Sequence, residues 1–214
     1  MNTVRGGHEH QDGRRLWLVR HGETVGGSSE RYFGSTDIAL SALGREQVER
    51  LAPRLGSCAF AALVHSPLSR AVDSARILCE RLAAPPGIVE VEDDLREVDF
   101  GDLEGLTRGE IEARFPGFFD DWRAGRTHGY PGGESSAGFR ARVAAGIDRA
   151  LARHPAGDVC VVAHRGVIKS VLVHLLGLSW AQVRPWSLDL GSASILVHAE
   201  GDRWTLDRYN LIGG

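Results

Sequence analysis

The chain has 214 residues, 43% hydrophobic and 25% charged, with a formal net charge of −3. That length suits one globular domain with room for an inserted lobe, and the charge gives no basic footprint for nucleic acid. No apolar run approaches the roughly 20 residues of a membrane helix, so neither a nucleic acid nor a membrane is expected as a partner.

Residues 1–15, MNTVRGGHEHQDGRR, are polar and lack the apolar stretch of a secretory signal. They read as a flexible tail, with His8 and His10 solvated rather than metal-binding. The rest, 16–214, reads as a single catalytic domain. Cys58, Cys79 and Cys160 are odd in number and widely spaced, which favours neither a zinc site nor a disulfide framework. Buried thiols in a reducing cytoplasm are expected.

Three segments repeat one pattern, an apolar run followed by a turn and then a helix. They are LWLV at 16–19, FAALVHS at 60–66 leading into PLSRAVDSARILCERL, and VCVVAH at 159–164 leading into RGVIKSVLVHLLGL. Apolar runs buried on both faces and alternating with helices predict a mostly parallel sheet in a three-layer α/β/α fold. Between the first two runs, SALGREQVERLAPRL predicts a helix with Ser41 as its N-cap. LTRGEIEARF predicts a shorter helix starting at Thr107. In SSAGFRARVAAGIDRALARH, Phe139, Val143, Ile147 and Leu151 fall four apart and form one apolar stripe. Residues 95–133 carry few strand signals and many Gly, Asp and aromatic residues, and read as a small helical lobe over the sheet. SASILVHAEGDRWTLDRYN alternates and turns at Glu-Gly-Asp, which predicts a hairpin at the sheet edge.

Open α/β sheets bind ligands at the carboxyl ends of their strands. Arg20 and His21 follow the first run, His65, Ser66 and Arg70 the second, and His164, Arg165 and Gly166 the third. A lone Arg or His after a strand is ordinarily a solvated loop residue, and His65 reads as ordering its turn. If the three strands are neighbours, several cations converge at strand ends and helix N-termini, which makes an anion site. Phosphate is the anion best matched to the bidentate fork of arginine.

These segments resemble the histidine phosphatase superfamily, phosphoglycerate-mutase-like branch. LVRHGET resembles its signature, RYFGSTDIALSALGREQ the stretch after it, VHSPLSRAVDSARIL its second block, LREVDFGDLEGLT its acid-bearing block, and PGGES and VVAHRGVI complete the order. The resemblance covers roughly 16–178. It implies a phosphohistidine nucleophile at His21, phosphate clamps at Arg20, Arg70 and His164, and a general acid/base at Glu97. Asp99 and Glu104 are the alternative acids, each read as a structural carboxylate. Gly22 would leave space for phosphate. No metal or other cofactor is implied, because guanidinium groups supply the positive charge.

Thr24, Phe33, Gly34 and Arg165 are the expected substrate-pocket residues. Three positions leave the family pattern. Gly27 stands where many members have a phosphate-contacting Asn, so the contact is absent or is replaced by water or by Ser28. Phe33 stands where phosphatases often have Gln; it either meets a planar or apolar leaving group or packs on the lobe. Arg165 stands where Gly is common; it either supplies a cation or faces solvent.

The resemblance implies a metal-independent phosphomonoesterase of the histidine acid phosphatase type, acting on a small phosphorylated metabolite in the cytoplasm. PGGES and the GREQ block also resemble α-ribazole-phosphate phosphatases and broad-specificity phosphatases, which the residues do not separate. The alternatives are a phosphoglycerate-type mutase, a protein phosphohistidine phosphatase and, with His21 and Glu97 both present, less readily a non-catalytic phosphoprotein-binding module. A homodimer is left open.

Overall fold

In the computed structural model, which describes residues 13–199 and 203–214, strand β1 (Arg15–Arg20) turns Leu16 and Leu18 to one face and Trp17 and Val19 to the other. All four are buried. A strand buried on both faces needs a layer on each side. One face meets α5 (Ser136–Arg153) and α6 (Arg165–Leu176), and the other meets α1 (Ala42–Leu51) and α2 (Ser69–Arg81). The expected three layers are present.

The remaining strands are β2 (Phe60–His65), β3 (Ile88–Val91), β4 (Asp158–Ala163), β5 (Ser192–Ala199) and β6 (Arg203–Ile212). The sheet order is β3-β2-β4-β1-β5-β6. The first four strands are parallel, and β5 and β6 add antiparallel. The three strands singled out in the sequence are therefore neighbours, with β4 in the middle. Ser41 caps α1 by accepting from the Gly44 N–H, and the shorter helix α3 (Arg108–Arg114) opens on a capping box of Thr107 and Glu110. On α5, Phe139, Val143 and Ile147 are buried as the stripe predicts, and Leu151 packs partly buried behind them.

Three elements are not expected from the sequence. Strand β3 is an edge strand whose Ile88, Val89 and Val91 are exposed, so it lacks the buried pattern of its neighbours. Helices α4 (Phe118–Arg123) and α7 (Trp180–Val183) are too short to show a period. Strand β1 also starts at Arg15, one residue inside the expected tail. The tail through residue 12, with His8 and His10, and the Glu-Gly-Asp turn of the hairpin lie outside the described residues.

Leu103, Ile111, Phe118 and Phe119 form a separate apolar cluster with Tyr32, Phe100 and Tyr130 packed on it. Tyr32 N–H donates to the Leu106 carbonyl, and Gly105 N–H donates back to Tyr32. These bonds seat the loop after β1 on the lobe. Among the described residues, no helix is long and apolar enough to cross a membrane.

Candidate active site

The register between β1 and β4 pairs Arg20 with Ala163, so the next residues, His21 and His164, emerge side by side. Backbone pairing continues past the strands, with His21 N–H on the Ala163 carbonyl at 3.0 Å. The two imidazole centroids lie 5.0 Å apart. Both rings are buried, His21 at 4% exposure and His164 at 0%.

His21 Nδ1 lies 2.7 Å from the Gly22 carbonyl oxygen. A carbonyl only accepts, so Nδ1 carries the proton and Nε2 holds the free lone pair. Burial, then the charges of Arg70 and Arg20, push the imidazole pKa well below its ordinary value, so the ring is neutral.

His164 has the opposite tautomer. Arg70 Nε–H donates to its Nδ1 at 3.2 Å, and its Nε2–H then donates to Ser66 Oγ at 2.7 Å. Burial, then Arg70, lowers its pKa well below the usual range too. The sequence places Ser66 at the strand rim but does not assign it as the partner of His164. Ser66 follows β2, and a serine at a strand end carries no signal of what it will touch.

Arg70 sits in the first turn of α2 and is completely buried. Its terminal nitrogens donate to the carbonyls of Thr36 at 2.8 Å and Gly34 at 2.7 Å. That loop is in turn gathered by Glu104, whose carboxylate accepts from Gly34 N–H, Ser35 N–H and the Thr36 hydroxyl. Glu104 and Asp99, which accepts from Gly101 N–H and the Ser35 hydroxyl, are thus structural carboxylates, as expected. Asp37 accepts from the backbone N–H and hydroxyl of Ser69 at the start of α2, a cap supplied from outside the helix.

Arg20 places one terminal nitrogen on the Leu188 carbonyl at 2.5 Å, while its buried Nε has no partner. Burial, then the neighbouring charge of Arg165, brings its pKa down to about 10, so it stays charged at neutral pH.

Glu97 lies at the N-terminus of α6. One carboxylate oxygen accepts from Gly166 N–H at 2.9 Å and the other from Val98 N–H at 3.0 Å. Its backbone is held by Arg142, which donates to the carbonyls of Asp94, Arg96 and Glu97 and pairs with Glu134 at 2.7 Å. Arg142 was not singled out in the sequence, since it sits amid a run of helical arginines.

The pocket residues separate. Thr24 is buried and its hydroxyl has no partner. The Phe33 ring lies close to Gly26 and Gly105, between the loop after β1 and the lobe, which favours its packing alternative. A Cβ on Gly34 would stand 1.9 Å from the Val98 carbonyl, so glycine is needed for loop and lobe to touch. Arg165 is exposed at the start of α6.

Two expectations are corrected. Gly22 does not serve to leave space for phosphate, because its missing Cβ would stand 2.1 Å from the Gly44 carbonyl of α1. Ser28 does not replace the Asn contact, since its hydroxyl donates to Glu23 at 2.6 Å. Gly27 has φ +83°, a left-handed conformation that glycine adopts freely, and is part of a turn. His65 orders its own turn through Nδ1 on the Ser66 carbonyl, as expected. Among the described residues, no three His, Cys, Asp or Glu side chains converge as metal ligands.

Two helix N-termini, two buried neutral imidazoles, a buried arginine and a half-buried one on one strand rim define a phosphate-handling α/β protein. Residues 16–212 match the model of the histidine phosphatase superfamily (branch 1), and the chain belongs to that family. It is 35% identical over 213 residues to glucosyl-3-phosphoglycerate phosphatase of Mycobacterium tuberculosis, covering 92% of this chain and 94% of that protein. It is 38% identical over 189 residues to the bifunctional protein Rv2228c of the same organism, covering 87% of this chain. There the match takes in 51% of the relative, so the chain spans about half its length. The solved α-ribazole phosphatase of Shigella flexneri superposes with a TM-score of 0.79 at 28% identity, covering 94% of this chain and 98% of that one.

Proposed function

We propose that the chain is a metal-independent phosphomonoesterase that hydrolyses a small phosphorylated metabolite in the cytoplasm through a phosphohistidine at His21. The observation that carries this reading is the His21 tautomer. A neutral, buried imidazole with Nδ1–H held by Gly22 leaves Nε2 as the nucleophile, beside two arginines that, among the described residues, no carboxylate neutralises through a salt bridge.

In the first half-reaction Nε2 attacks phosphorus in line, the P–O bond breaks, and the carboxylic acid form of Glu97 gives its proton to the leaving oxygen. The positive charge that develops on the ring is stabilised through Nδ1–H on the Gly22 carbonyl. Arg20 and Arg70 stabilise the equatorial oxygens. His164 joins them by changing tautomer. Arg70 Nε turns to the phosphate, Nδ1 takes the proton and donates to an oxygen, and the Ser66 hydroxyl reverses to donate to Nε2. A hydroxyl can do either. In the second half-reaction Glu97 takes a proton from water, the water oxygen attacks phosphorus, and the N–P bond breaks to free phosphate and neutral His21.

The test is turnover of p-nitrophenyl phosphate in excess chelator, with base-quenched trapping of labelled phosphoenzyme. A base-stable label on His21, absent from His21→Ala, is expected. Full activity in His21→Ala, or activity abolished by chelator, would overturn the mechanism. Conversion of 3-phosphoglycerate to 2-phosphoglycerate without free phosphate would replace the phosphatase by a mutase.

A further inference from the structure

Strand β6 is not regular. Ala193 of β5 pairs with Leu211 and Ile195 with Arg208, so Ser194 faces two residues of β6, Tyr209 and Asn210. That is a β-bulge, which turns side chains out of the ladder's alternation. Among the described residues, Asn210 is the one non-glycine with a positive φ, at +54°. Glycine adopts this left-handed conformation freely, whereas asparagine enters it when its short side chain has hydrogen bonds to make. The conformation alone would suit glycine better, so the side chain is there for its bonds.

Those bonds hold the loop that leads from α7 into β5. Asn210 Oδ1 accepts from Asp189 N–H at 2.7 Å, and its Nδ2 donates to the Asp189 carboxylate at 2.9 Å. The Asn210 N–H donates to Ser194 Oγ at 3.2 Å, which ties the bulge to β5. Tyr209, the other bulged residue, packs its ring edge-on against Trp186 of the same loop, with centroids 5.2 Å apart. The Ser192 hydroxyl closes the loop on the Asp189 carbonyl at 2.6 Å.

The loop so held touches the site twice. Leu188, just before Asp189, is buried and offers its carbonyl to a terminal nitrogen of Arg20 at 2.5 Å. Among the described residues this is the only hydrogen bond of Arg20, whose Nε has no partner. Gly191, two residues after Asp189, donates its N–H to the His21 carbonyl at 3.1 Å. A guanidinium binds phosphate through a planar fork, so its direction decides the contact. With one carbonyl to rest on, Arg20 takes its direction from Leu188.

We propose that Asn210 is a positioning residue for the phosphate clamp: it locks the 188–191 loop, so that the Leu188 carbonyl aims Arg20 at the anion beside His21. The inference rests on the phosphatase reading above and adds to it a residue that touches neither substrate nor reacting atoms. Asn210 acts through Asp189, Leu188 and Arg20 in turn.

The experiment measures inorganic phosphate binding by calorimetry, with turnover of p-nitrophenyl phosphate beside it. Asn210→Gly keeps the left-handed backbone and removes both bonds to Asp189. Asn210 is half-buried on an edge strand, so the core is not disturbed. The variant should bind phosphate about fivefold more weakly or worse, within the range of couplings inside one hydrogen-bond network. In an Arg20→Gln background the same change should move phosphate affinity less than about twofold, because the group being aimed is gone. Asn210→Asp sets two carboxylates against each other and should bind phosphate as weakly as Asn210→Gly. Adding Asp189→Asn to it gives that contact a donor again and should restore most of the affinity. An unchanged affinity in Asn210→Gly, or an equal loss with and without Arg20, overturns the positioning role and leaves the phosphatase intact. If wild type turns over no phosphate ester, the catalytic reading has failed, and phosphate binding by the same variants decides the role of Asn210 alone.

Discussion

Arg70 Nε–H donates to Nδ1 of His164 at 3.2 Å, and this bond fixes the resting tautomer of the second histidine. Ser66 then has to serve Nε2 from the other side at 2.7 Å. Ser66→Ala leaves a fully buried ring nitrogen without a partner, which costs roughly 1–3 kcal/mol. We expect a lower melting temperature and a fall in kcat of about tenfold or more, with little change in KM. Ser66→Thr, which keeps the hydroxyl, should restore most of kcat. Equal loss in both variants would assign Ser66 to packing alone.

Both site histidines are held neutral, chiefly by burial and next by Arg70. Their pKa values are lower folded than unfolded, so below about pH 6.5 the unfolded chain takes up protons that the native site refuses. Stability should therefore fall as pH falls through that value, by up to roughly 1.4 kcal/mol per pH unit for each ring. Urea midpoints between pH 7.5 and 5.5 measure the slope, and His164→Gln should make it shallower. The nucleophile also stays unprotonated, so kcat/KM should show no loss at pH 6.5 assignable to His21. A slope unchanged in His164→Gln would mean that its ring titrates normally in the native protein.

Gly22 and Gly44 bring the turn after β1 against the start of α1 at a separation that excludes any side chain. Gly22→Ala forces backbone on backbone, beyond the roughly 1–3 kcal/mol typical of overpacking. For a chain of this length each kcal/mol is worth about 2–4 °C, so a drop of several degrees is expected. Activity should fall with it, because His21 precedes the turn. A melting temperature within 1 °C of wild type, roughly the precision of the shift, would contradict the close approach.

Arg142 joins Glu97 to α5 through three backbone carbonyls and a bidentate pair with Glu134. Lysine has the charge but not the fork. Arg142→Lys should therefore lower kcat about as much as Arg142→Gln, with KM for p-nitrophenyl phosphate moving little. Rescue by lysine would show that charge alone was needed.

The Phe33 ring lies near Gly26 and Gly105, so Phe33→Gln should weaken all substrates alike and lower the melting temperature. A change in preference among phosphate esters, with stability retained, would instead place the ring against the leaving group.

Much of the site was legible in the chain. Apolar runs ending in Arg20-His21, His65-Ser66 and His164-Arg165 declare strands buried on both faces that end in charge, and burial on both faces dictates helices on either side. The order of these blocks carries the family resemblance, and with it the expected roles of His21, Arg70 and Glu97. Edge strand β3 escaped because exposed apolar residues at a sheet edge leave no period.

What only the tertiary structure decided is which atom of each residue is free. Ser66 and His164 are 98 positions apart, and Gly166 and Glu97 are 69 apart. Local periodicity contains nothing about such pairs. They meet because the β1–β4 and β2–β4 registers bring three strand ends to one level. Sequence by itself determined the residue types at the rim. The sheet register and the close backbone contacts at Gly22 and Gly34 decided their tautomers and partners, because hydrogen-bond direction is set by neighbours that the chain brings in from far away.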